Sequence, residues 1–201
     1  MKRRLGAALF ALYACSSSPP ILGEQIGKFT FKATKQVFDQ CNFVGTNFGD
    51  AGVDGGPLFT FEAILSHDTM SEKAVMLLGS VQRDGGFDGQ YFVSQQAALR
   101  QFAECGLSCD KTTVDETIRL ALFSRTQKDA VGGSCPPNPL DGGVPSPDGG
   151  VLPPHAIPGG FDAVLACGEM EDTVIPDGGS CGCVPCTTLF QVEGVPTGTS
   201  Q

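Results

Sequence analysis

The chain has 201 residues, 13 Lys and Arg against 22 Asp and Glu, and a formal net charge of −9. An acidic balance of this size excludes the electrostatic basis of nucleic-acid binding and of docking on anionic lipid. Gly (27) and Pro (14) together make up about a fifth of the residues, which favours turns and loops over long helices. Phe is frequent (14), enough for a core, whereas Trp is absent and Tyr occurs twice, leaving few flat aromatic platforms for a sugar.

The chain opens with Met1-Lys2-Arg3-Arg4, continues with the apolar run Leu5 to Ala14, and then reads Cys15-Ser16-Ser17-Ser18-Pro19-Pro20. A basic start, a short apolar stretch and a small residue before the break are the marks of an export signal, and the run is well short of the roughly 20 residues that span a bilayer. Leu12-Tyr13-Ala14-Cys15 resembles the lipobox of bacterial lipoproteins, with Tyr13 where a small or β-branched residue is more usual. The resemblance implies removal of residues 1–14, lipidation of Cys15, and a stable anchor of several acyl chains. Ser16 after the cysteine points by the same resemblance to the outer membrane. Residues 15–24 then form a tether. Loss of the leader's three basic residues takes Lys and Arg from 13 to 10 and the formal charge to −12.

Downstream, period-two patterns predict strands, and residues 25–195 form one domain. Lys28 to Thr34 alternates apolar and polar residues. Leu58 to Leu65 places Phe59, Phe61, Ala63 and Leu65 on one face. Ala74 to Leu78 is a buried strand, and Gln90 to Ser94 another, with Asp84-Gly85-Gly86 between them as a hairpin turn. Gln95 to Glu104 suits a bent strand or a short helix, with the strand preferred. Val114, Ile118, Leu120 and Leu122 share a strand face, and Phe161 to Ala166 and Thr187 to Val192 complete about seven strands. Without a βαβ alternation, the pattern predicts an all-β fold, a disulfide-braced antiparallel β-sandwich with a long Gly/Pro-rich loop. That loop covers residues 127–160, and residues 196–201 form a disordered tail.

Nine cysteines are an odd number for an exported chain. With Cys15 on lipid, Cys41, Cys105, Cys109, Cys135, Cys167, Cys181, Cys183 and Cys186 remain as disulfide candidates, in 105 possible connectivities. Cys135 ties the start of the long loop to the body. Cys105 to Cys109 and Cys181 to Cys186 have spacings that thiolate zinc sites also use, but disulfides fit an oxidising compartment better, so no metal and no cofactor is expected. Asp-Gly-Gly recurs at Asp54, Asp84, Asp141, Asp148 and Asp177, and turn chemistry explains it better than calcium does. The lipobox, the eight remaining cysteines and the Pro-Asp-Gly-Gly loops at 147–150 and 176–179 together resemble the uncharacterised outer-membrane lipoproteins of predatory soil bacteria. That likeness implies location and construction and no activity.

No nucleophile elbow, metalloprotease helix or phosphate loop is present. His67-Asp68 is read as a surface pair at a strand end, and Glu169 and Glu171 as surface acids rather than glycosidase carboxylates. The expectation is a non-enzymatic, lipid-anchored cell-envelope protein with a structural or binding β-domain and no catalytic residue. Its protein or glycan partner is left open. The alternatives are a secreted hydrolase or sugar-active enzyme with an unrecognised site, and a metal module built on the cysteine clusters.

Overall fold

The computed structural model describes residues 23–42, 56–100, 112–140, 160–176 and 184–198. Eight strands follow one another: β1 (Glu24–Asp39), β2 (Thr60–His67), β3 (Lys73–Leu78), β4 (Val81–Phe87), β5 (Tyr91–Arg100), β6 (Thr112–Phe123), β7 (Leu165–Pro176) and β8 (Cys186–Pro196). Among the described residues a short helix, α1 (Arg125–Ala130), lies between β6 and β7. Each strand pairs antiparallel with the next, and β8 returns to pair with β1, so the sheet closes into a barrel. The expected sandwich is therefore corrected to an eight-stranded up-and-down barrel. A sandwich and a barrel make the same demand on each strand, one apolar face. They differ in whether the first and last strands meet, which no local pattern records.

Inner faces follow the alternation. Phe29, Phe31, Ala63, Leu65, Met76, Phe87, Phe92, Ile118, Leu120, Leu122, Phe190 and Val192 converge in one buried cluster that fills the lumen. Phe31 stacks on Phe61 at 5.0 Å, and Phe59 meets Phe190 edge-on at 5.2 Å. Glycines make room for these rings: a Cβ on Gly194 would lie 2.6 Å from the Phe31 ring. Outer faces carry charge instead, with Lys28 paired to Glu62 across β1 and β2 at 3.1 Å and Arg119 paired to Glu169 across β6 and β7 at 3.3 Å. Apolar-in and polar-out is the reverse of a membrane-spanning barrel. Among the described residues no helix is long and apolar enough to cross a bilayer.

β4 is a strand that the sequence reading missed. Asp84-Gly85-Gly86 lies within it, and the hairpin turn is Gly79-Ser80, between the paired residues Leu78 and Val81 and with Gly79 at φ +59°. Gly85 serves close strand approach, since a Cβ there would collide with the Val93 carbonyl. β7 likewise extends from Leu165 to Pro176, whereas residues 161–164, expected in a strand, precede it. Its inner face of Ala166, Gly168, Met170, Asp172 and Val174 is too mixed to read as apolar. Gln95 to Arg100 continues β5, as preferred. Within the stretch read as a flexible loop, residues 127–140 contain the end of α1 and a turn-rich strap, and residues 141–159 lie outside the described residues. The tail expected from 196 begins with ordered backbone, because the Thr197 N–H donates to the Lys28 carbonyl at 2.9 Å.

Among the described residues two disulfides brace the barrel, Cys41–Cys186 and Cys135–Cys167. The first closes the base, packed with Val114 and Val174. Cys15, Cys105, Cys109, Cys181 and Cys183 lie outside the described residues, as do Asp54, Asp141, Asp148 and Asp177.

Candidate binding groove

The second disulfide sets up a broad concavity on the described surface. β6 ends at Phe123, and Ser124 starts α1, where the Gln127 side-chain Oε1 accepts the Ser124 N–H at 2.8 Å. That contact fills a helix-start donor and buries Gln127. The chain then turns through Gly132 and Gly133, both at positive φ, and runs as Cys135-Pro136-Pro137-Asn138-Pro139-Leu140 along the outside of the wall. Prolines hold φ near −65° and lack an N–H, so this strap is stiff and does not join the sheet. Val131, Cys135 and Leu140 pack on an outer apolar patch of Ala121, Phe123, Leu165 and Cys167. The expected link from Cys135 to the body is thus made, and its partner is Cys167 on β7.

Between strap and wall lies a groove of about 340 Å³. Its wall side is formed by Thr34 of β1, Arg119 of β6, Gly168 and Glu169 of β7, and Gln191 and Glu193 of β8. Gly168 lines the groove although its side-chain position faces inward, and a Cβ there would overlap the Arg119 carbonyl. Arg119 Nη1 meets Glu169 Oε1 at 3.3 Å and Nη2 meets Glu171 Oε2 at 3.6 Å. The two acids singled out in the sequence therefore flank one arginine on the outer face. They are its counter-ions, two residues apart on one strand, and not carboxylates set across a cleft. Glu193 adds a further negative charge, so the groove suits hydrogen-bond donors or a cationic group more than an anion.

His67 is not at the surface, contrary to expectation. It continues the inward set of β2 after Phe61, Ala63 and Leu65 and is fully buried at the mouth of the barrel. Its ring meets Phe87 edge-on at 5.4 Å, and Phe87 in turn packs on Phe161 at 5.2 Å. Neither ring nitrogen makes a hydrogen bond of acceptable geometry. Burial lowers the imidazole pKa below its ordinary 6.5, outweighing the opposing pull of Glu24 and Asp68. Asp68 points away and organises the β2–β3 turn, accepting the Met70 N–H at 3.0 Å and the Ser71 hydroxyl at 2.8 Å. Both contacts hold its carboxyl below the usual range.

Deeper in the lumen, Arg83 of β4 and Glu116 of β6 form a two-point ion pair, with Arg83 Nη2 to Glu116 Oε2 at 3.1 Å. Sequence reasoning missed this pair, because a charged residue on an otherwise apolar strand face reads as a break in the pattern. Among the described residues, no three His, Cys, Asp or Glu side chains are grouped to hold a metal. Cys186, a member of one proposed thiolate cluster, is bonded to Cys41.

No family model, no curated protein and no solved structure matches this chain.

Proposed function

We propose that the chain is an exported, non-catalytic envelope protein, held to the outer membrane by lipid on Cys15, whose barrel is a rigid body presenting the strap groove for binding. The observation that carries this reading is the Cys135–Cys167 bridge. A disulfide of this kind belongs to an oxidising compartment, and here it pins the segment that forms the groove. The filled lumen supports the same reading, since eleven of the largest fully buried side chains belong to its cluster and a ligand is better accommodated outside. The charged outer wall fits a domain that stands in water beside the membrane rather than within it. An eight-stranded barrel by itself implies no ligand, because fold does not fix function.

The hydrolase alternative loses its candidate base: His67 is enclosed among Phe87 and its neighbours, out of reach of a surface substrate. The test is mass spectrometry of the N-terminal peptide from the membrane fraction. A diacylglyceryl thioether on Cys15 with residues 1–14 removed is expected, and Cys15→Ser should move the protein to the soluble fraction. An unmodified Cys15, or a membrane-bound Cys15→Ser variant, refutes the anchor.

A further inference from the structure

The mouth of the barrel is closed by residues 160–164, and four contacts hold them. The Ala163 N–H donates to the Ile26 carbonyl at 3.0 Å, and the Val164 N–H to the Phe123 carbonyl at 2.8 Å. The Gly160 N–H donates to Glu24 Oε1 at 2.9 Å. Phe161 packs on Phe87. Beneath this segment sits His67, with no solvent exposure and no hydrogen bond to either nitrogen. Glu24 is the cross-strand partner of His67 in the β1–β2 register, so the two side chains share the inner face at the mouth.

We infer that residues 160–164 are an acid-released latch, in which a proton taken up by His67 recruits the Glu24 carboxylate and frees Gly160. A neutral imidazole is tolerated among Phe87 and Phe161, whereas an imidazolium without a partner is costly there. The charged groups around the ring are Glu24 on β1 and Asp68, the next residue in the chain. β3 offers Ala74, β4 offers Phe87, and the latch offers Phe161, while its Asp162 is exposed. Asp68 is already bound to its own turn. Glu24 is left as the responding carboxylate, and the bond it gives up is one of the four that hold the latch. Opening hydrates the charged ring and uncovers the apolar mouth, a surface the closed barrel hides.

The lowered pKa agrees in sign. The closed state disfavours the bound proton, so closure is at full strength above about pH 6.5 and weakens as pH falls toward the depressed value.

The experiment is amide hydrogen exchange on the full chain between pH 7 and pH 5, corrected for the intrinsic pH dependence of exchange. With one linked proton, opening measured at Gly160 and Ala163 should rise by up to about tenfold per pH unit in this window, while Ile118 and Leu120 in β6 stay protected. His67→Phe should abolish the rise, and His155→Gln should leave it unchanged. Glu24→Ala, which removes the acceptor of the Gly160 N–H, should loosen Gly160 already at pH 7. The proposal is overturned if His67→Phe keeps the response or if the β6 amides loosen in step with the latch. Should His67→Phe fail to fold, an NMR titration of the wild-type imidazole decides. A pKa at or above 6.5, or protonation with no change at Gly160, overturns the proposal as well.

Discussion

Arg83 and Glu116 are bonded to each other across the lumen, over the intervening strand β5. Both are almost wholly shielded, at 8% and 13% side-chain exposure. A pair in such a place favours one register of β4 against β6, since a slip of one residue would send a charge to the opposite face.

Removing one partner should therefore cost far more than removing both. Glu116→Gln keeps the shape and leaves a buried guanidinium uncompensated, with an expected loss of about 3 kcal/mol in urea unfolding. Arg83→Met combined with Glu116→Leu should recover most of that loss. A single variant within about 0.5 kcal/mol of the parent would show the pair to be exposed in solution.

The bridges should differ in what they hold. Cys41–Cys186 spans 145 residues, and chain entropy alone assigns it up to about 5 kcal/mol. Replacing both cysteines by serine should lower the melting temperature of the whole barrel. Cys135–Cys167 spans 32 residues, with a corresponding ceiling of about 4 kcal/mol. Its loss should act first on the strap, because the barrel ladder does not run through residues 125–140. Limited proteolysis of Cys135→Ser/Cys167→Ser should cut within the strap while far-UV circular dichroism stays that of the parent.

Two glycine substitutions separate backbone strain from collision. At Gly79 an added methyl meets nothing, but the turn keeps φ at +59°, so Gly79→Ala should cost about 1 kcal/mol. At Gly168 the methyl would overlap the Arg119 carbonyl of the neighbouring strand. Gly168→Ala should cost at least about 3 kcal/mol or prevent folding, since the ladder must open to admit it. Equal effects on the two melting temperatures would contradict this account.

The remaining cysteines can be counted chemically. Cys105 and Cys109 lie in the connection between β5 and β6, and Cys181 and Cys183 in that between β7 and β8. The up-and-down order makes both connections leave from the base of the barrel. With Cys15 lipidated, thiol titration of the unreduced, denatured protein should find no free thiol. Two or more would return weight to a metal or redox role.

Much of the wall was legible because each strand must bury one face. Phe61, Ala63 and Leu65 on β2, with Phe59 just before it, and Val114, Ile118, Leu120 and Leu122 on β6, read directly as inner faces and are buried as such, apart from a half-buried Phe61. Strands whose inner faces carry glycine or charge were missed or misplaced: Arg83 and Gly85 on β4, Gly168 and Asp172 on β7. Their fitness for the lumen depends on partners that lie on other strands. His67 belonged to a legible face, but its position at the end of β2 suggested solvent. It is buried instead against Phe87, on which Phe161 packs in turn, a neighbourhood that sequence alone does not assemble.

The sequence by itself determined the all-β character, the acidic surface, the inward faces of the clearest strands, and that Cys135 is tied to the body. These follow from backbone period, composition and residue chemistry, all of which act locally or add up over the chain. Only the tertiary structure decided that β1 meets β8, that Cys135 finds Cys167 and Cys41 finds Cys186, and that Arg83 faces Glu116. Each of these joins residues whose meeting depends on the summed twist and stagger of the strands around the barrel. Closure is a property of the ring and of no strand within it.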